Sequence, residues 1–158
     1  MGVLNTNQSK MKKLIIVLLA CLAPGCEDET INLEGDLKYG TSFGECIGYC
    51  LTEASLDETN FVVLQKSWDT GKESKQFEKT LSTEEVQAIY DGIDLDKFAQ
   101  LPETIGCPDC ADGGAEWLEL VIDGESKRVT FEYHEDIEGI NPAIVKLRSL
   151  VEGLTADQ

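Results

Sequence analysis

Seventeen consecutive residues, WLELVIDGESKRVTFEY from Trp117 to Tyr133, constrain the fold more than any other part of the chain. Leu118, Leu120 and Ile122 alternate with Trp117, Glu119 and Val121, the period-two pattern of a strand with two unlike faces. Asp123-Gly124 then supplies two residues that tolerate positive φ, as a tight hairpin turn requires. On the return strand Val129, Phe131 and Tyr133 share one face, with Arg128, Thr130 and Glu132 on the other. The segment is expected to be an antiparallel hairpin.

A second hairpin is expected upstream, where Tyr49 to Leu56 and Phe61 to Trp68 flank the turn formers DETN. Leu37 to Thr41 and Lys75 to Thr80 read as further strands. Helices punctuate the sheet. Ser82 and Glu85 form a capping box ahead of Val86, Ile89 and Tyr90, which have helical spacing. Asp94 caps a short helix carrying Leu95, Phe98 and Leu101, ended by Pro102. Asn141-Pro142 opens a third, in which Ile144, Leu147, Leu150 and Val151 form an apolar stripe expected to lie across the sheet. The fold class is α+β: an antiparallel sheet of about four to six strands from two hairpins, covered by two or three helices.

The N-terminal region reads as an address. Lys12 and Lys13 precede an apolar run, Leu14 to Leu22, that falls short of the roughly 20 residues a bilayer span needs. A basic head, a short apolar run and a small-residue exit describe a secretory signal peptide. The exit, Ala23-Pro24-Gly25-Cys26, resembles a bacterial lipoprotein signal, which implies acylation of Cys26 after cleavage. Cys21, after Leu18-Leu19-Ala20, competes but would leave a shorter run. Residues 1–25 are thus expected to be leader, with 1–10 an upstream extension if Met11 is the start. Residues 26–36 form an acidic linker, and 37–154 a single domain. Glu27-Asp28-Glu29 is either a solvated linker or a signal for display on the cell surface. The expected location is the cell envelope, as an outer-membrane lipoprotein with surface exposure left open.

Cleavage would leave 133 residues with thirty acidic and ten basic side chains, a formal charge of −20. That charge repels nucleic acid and disfavours self-association, so a monomer without a nucleic-acid partner is expected. The expected partners are the membrane, through the lipid, and an envelope or extracellular protein. Asp109, Asp112 and Glu116 approach a calcium-loop pattern with the wrong spacing, and read as residues that solvate a loop.

The stretch FGECIGYC, then a hairpin and LSTEEVQAIY with Phe98 beyond, resembles a domain-of-unknown-function family of secreted bacterial lipoproteins. In that family a Gly-Cys loop precedes the first hairpin. The resemblance covers about Leu37 to Leu101, and Ile47 departs from it where proline is expected. It implies compartment and fold, not an activity.

Four cysteines remain after the leader and lipid site: Cys46, Cys50, Cys107 and Cys110. In an exported domain an even set reads as disulfides, in three possible pairings. A straight strand would hold Cys46 and Cys50 about 13 Å apart, beyond bonding reach, although Gly44 and Gly48 allow a bent loop. Bridges between the two clusters would close loops of 57 to 64 residues and stabilise by about 4 kcal/mol. That pairing is the expected one. Redox use of Cys107 and Cys110 needs a helix after the motif, and Asp112-Gly113-Gly114 reads as a turn instead. Zinc on the two pairs is chemically reasonable but competes with oxidation outside the cytoplasm.

No nucleophile, metal or phosphate motif accompanies His134, the only histidine, which reads as a solvated strand end. Neither a cofactor nor a catalytic residue is expected. The leading functional reading is a non-enzymatic, stapled binding or envelope module. Its working surface is the loop Thr104 to Ala115, with Pro108, Asp109 and Asp112, backed by Phe43 to Tyr49. The alternative is an envelope thiol-redox or zinc protein using the cysteine pairs.

Overall fold

The computed structural model describes residues 37–122 and 124–156. The leader, Cys26, the acidic linker and the Asp123 half of the hairpin turn lie outside the described residues. Among the described residues six strands form one antiparallel sheet: β1 (Leu37–Ser42), β2 (Leu51–Asp57), β3 (Asn60–Lys66), β4 (Lys75–Thr80), β5 (Ala115–Ile122) and β6 (Glu125–Glu132). Their order across the sheet is β4-β3-β2-β1-β5-β6. Three helices, α1 (Thr83–Tyr90), α2 (Leu95–Gln100) and α3 (Asn141–Ala156), accompany it. The fold is therefore α+β, as the periodicities indicate.

The β5–β6 hairpin follows its pattern. Ile122 pairs with Glu125 across a two-residue turn whose Gly124 has φ +80°. Leu118, Leu120, Val129 and Phe131 are buried on one face. The upstream hairpin closes with Asp57 opposite Asn60, and Glu58 takes the left-handed conformation. Its strands are shorter than expected. Tyr49 and Cys50 belong to a disulfide-closed loop, and Trp68 lies beyond β3, where Asp69 and Gly71 already form a turn.

One face of the sheet carries Leu37, Tyr39, Ala54, Leu56, Phe61, Val63, Leu118 and Phe131 into a core shared with Ile89, Phe98, Ile144 and Leu147 of the helices. Burying each large apolar side chain contributes about 1.5–3 kcal/mol, so this layer supplies the main driving force. The capping box is present: the Ser82 hydroxyl accepts from the Glu85 N–H at 3.2 Å, and Glu85 accepts from the Ser82 N–H at 2.8 Å. That backbone bond, then Lys79, holds the Glu85 carboxyl below its ordinary range. Asp94 caps α2 by accepting from the Lys97 N–H at 3.1 Å.

The antiparallel order separates the loops into two groups. Leu37, where the chain enters the sheet, pairs with Leu56 at the end carrying the two tight turns. Ser42, Leu51, Lys66, Lys75, Ala115 and Glu132 all lie at the opposite end. The β1–β2 and β3–β4 connections span that end, and the long connection that departs β4 at Thr80, beside the tight turns, arrives there at Ala115, so both cysteine loops lie at it.

Candidate functional site

The two cysteine loops pair locally. Cys46 is bonded to Cys50, and Cys107 to Cys110, with Cα separations of 5.7 and 5.4 Å. This corrects the expectation of bridges between clusters. Gly48, at φ +109°, folds the first loop back on itself, which removes the roughly 13 Å separation of an extended strand. In the second, a turn with the Cys110 N–H donating to the Cys107 carbonyl at 3.0 Å brings the sulfurs together. A closed loop of three or four residues restricts the unfolded chain far less than one of about sixty. Replacing Cys107 and Cys110 together with serine should cost about 2 kcal/mol in urea denaturation. A loss near 4 kcal/mol would instead indicate a long-range bridge.

The loops, though stapled separately, interlock. The Gly44 N–H donates to Asp109 Oδ1 at 3.1 Å. The Phe43 ring packs edge-on against Tyr133, with centroids 4.9 Å apart, and occupies the space that a Cβ on Gly114 would need. The Gly114 carbonyl accepts from both Asp109 and Tyr133 N–H groups, and the Cys107 N–H donates to the Glu132 carboxylate at 2.9 Å. Within the second loop Asp109, Ala111 and Asp112 all have positive φ between 52° and 61°. Left-handed conformations of this kind cost of order 1 kcal/mol or more each in non-glycine residues, and persist only where surroundings over-determine them. Asp109 is thus a structural brace, Pro108 is half-buried, and Asp112 is exposed.

The neighbouring loop adds what the sequence reading missed. Ile47, at the tip of the first stapled loop, is fully exposed. Trp68 is half-exposed, but its indole N–H donates to the Phe43 carbonyl at 2.7 Å, so the ring is held in place. Lys72 lies over the Tyr49 ring at 4.2 Å. The sequence signal was available: Asp69 and Gly71 are turn formers, so a tryptophan just before them falls outside the strand.

Beneath these loops sits a buried ionic cluster. Glu116 is completely buried, contrary to its reading as a loop-solvating acid. Its carboxylate accepts from Arg148 Nη2 at 2.7 Å and Nε at 3.2 Å, from the Tyr39 hydroxyl at 2.6 Å, and from the His134 N–H at 3.1 Å. Burial, then the Glu116 charge, pushes the Tyr39 phenol far above its usual range. Burial works against the Arg148 charge, but the hydrogen bonds and charge of Glu116 more than offset it and raise the guanidinium. The carboxylate is fully engaged by these partners and presents no lone pair to a substrate. His134 itself is exposed at the turn after β6, as expected, and stacks edge-on against Tyr133 at 4.1 Å.

Among the described residues no three His, Cys, Asp or Glu side chains converge to hold a metal ion. The four cysteine sulfurs therefore do not form one tetrahedral set. Compared with models of protein families and with curated proteins, the chain matches none.

Proposed function

We propose that this chain is an exported, lipid-anchored, non-enzymatic binding module whose stapled loop end engages a protein of the envelope or its surroundings. The observation that carries this reading is positional. The two disulfide loops interlock at the sheet end opposite Leu37, the residue to which the acidic linker and Cys26 connect. A tether of about ten residues reaches at most roughly 35 Å, so the domain stays near its membrane with the loops directed away from the attachment. Both bridges and the Asp109 brace hold these loops in one shape, which reduces the entropy lost on association. Ile47 and Trp68 add exposed apolar surface on the same end, and tryptophan is favoured among residues that dominate binding energy.

The test has two arms. Cys26→Ser should release the chain from the membrane fraction, whereas Cys21→Ser should leave it anchored; the reverse would move the lipid to Cys21. For the binding surface, a photo-crosslinking amino acid is placed in living cells at Ile47, at Asp112, or at Glu58 on the opposite end. Discrete adducts from the first two positions and none from Glu58 support the reading. Equal labelling from all three, or none, overturns it.

The exposure of the Cys107–Cys110 bridge favours a second reading, thiol–disulfide exchange. It requires a trapped mixed disulfide with a partner when one of these cysteines is replaced, and fails without one.

A further inference from the structure

β6 is an edge strand, and its outer edge is only partly used. Thr130 forms an isolated parallel bridge with Thr104: its N–H donates to the Glu103 carbonyl and its carbonyl accepts from the Ile105 N–H, each at 2.9 Å. In an antiparallel pair, successive residues alternate between facing the neighbouring strand and facing away. Since Thr130 faces away from β5, so do Arg128 and Ser126, whose pairing with β5 continues in unbroken register. Their backbone N–H and C=O groups line the edge beyond the point where the Glu103–Ile105 segment stops.

That edge, unpaired among the described residues, borders a cleft of about 870 Å³ lined by Ala99, Glu103, Ile122, Glu125 and Lys127, among others. Lysine and arginine on an edge strand usually discourage pairing. Here both are drawn aside. Lys127 donates to the Ala99 and Leu101 carbonyls at the end of α2, at 2.5 and 2.8 Å. Arg128 folds onto Glu119 at 2.7 Å and over the Trp117 ring on the sheet's open face. The unpaired acids at the cleft are Glu103 and Glu125, both exposed and neither paired with a cation among the described residues, while the Lys127 ammonium that also lines it is held on the two carbonyls.

We infer that the outer edge of β6 is a second binding site, which takes an extended basic peptide as an added strand beside Ser126 and Arg128. Backbone pairing supplies the geometry, in the manner of strand addition to a sheet edge. Glu103 and Glu125 select lysine or arginine on the peptide. A second copy of this chain is a poor occupant, because a formal charge of −17 opposes association of two copies. The site does not depend on the stapled loops as a binding surface.

The experiment uses the purified full chain in non-ionic detergent and a fluorescent peptide alternating lysine and valine, followed by anisotropy. Ser126→Pro removes an outward N–H without changing net charge, a substitution edge strands tolerate. It should weaken binding about tenfold while leaving the melting temperature unchanged. The same peptide N-methylated at alternate residues keeps its charge but cannot pair, and should bind the unaltered chain about tenfold less well. This arm decides the matter if Ser126→Pro fails to fold. Glu103→Gln with Glu125→Gln should reduce affinity and flatten its salt dependence. Equal binding of the methylated peptide would reduce the effect to charge attraction and overturn the site. Sedimentation as a dimer that Ser126→Pro dissociates would assign the edge to a second copy instead.

Discussion

Arg148→Ala should destabilise the domain by about 3–5 kcal/mol, the range for removing one partner of a buried ion pair. The size of the loss is set by what is left behind. Glu116 is completely buried, and without the guanidinium its carboxylate retains only the Tyr39 hydroxyl and the His134 N–H. Two neutral donors do not compensate a buried charge. Adding Glu116→Gln to Arg148→Ala removes that charge, so the double variant should be more stable than Arg148→Ala alone. The sign of this coupling separates a buried-charge effect from simple loss of packing, which would make the two losses additive. Thermal or urea denaturation of the four proteins measures it. A loss below about 1 kcal/mol for Arg148→Ala would mean that the pair behaves like an exposed one. The cluster also joins α3 to β1, β5 and the turn at His134, so its loss should loosen the base of the loop end as well as the helix.

Gly40→Ala should cost about 3 kcal/mol, at the upper end of ordinary overpacking. The direction is the unusual part, because glycine inside a strand normally weakens it and alanine would be expected to help. Gly40 is paired with Trp117 on β5, and the indole lies across it. A Cβ would fall into the indole ring and would also stand 2.8 Å from the Thr52 backbone carbonyl. The ring cannot retreat freely, since it is buried and Arg128 sits over it at 5.2 Å. The carbonyl belongs to the β1–β2 pairing. Either strand must shift, or the indole must leave its place. Gly40→Ala combined with Trp117→Ala should lose less than the sum of the two single losses, and a Gly40→Ala protein as stable as the original would refute the close approach.

Local signals carried much of the architecture. Period-two runs, the Asp123-Gly124 turn, the Ser82–Glu85 capping box and the Asn141-Pro142 helix start each act within a few residues, so they are readable in one dimension. The sheet, its hairpins and its three helices follow from them. The loop end was partly legible for the same reason: glycines and cysteines mark Phe43 to Tyr49 and Thr104 to Ala115, and the structure brings these stretches together through Asp109 and Gly44. Disulfide pairing was not legible, because it depends on whether a loop bends at Gly48, a dihedral that spacing does not specify. Glu116 shows the limit most clearly. Among thirty carboxylates nothing local distinguishes it, and its burial is decided by Arg148, thirty-two residues away, and Tyr39, seventy-seven away. The same holds for Gly40, whose lack of a side chain matters only because β5 pairs beside β1 and lays Trp117 over it. Short-range periodicity thus settles which segments become strands and helices. Which charge is buried and which glycine is indispensable are properties of contacts between distant segments, and they exist only once the sheet is assembled.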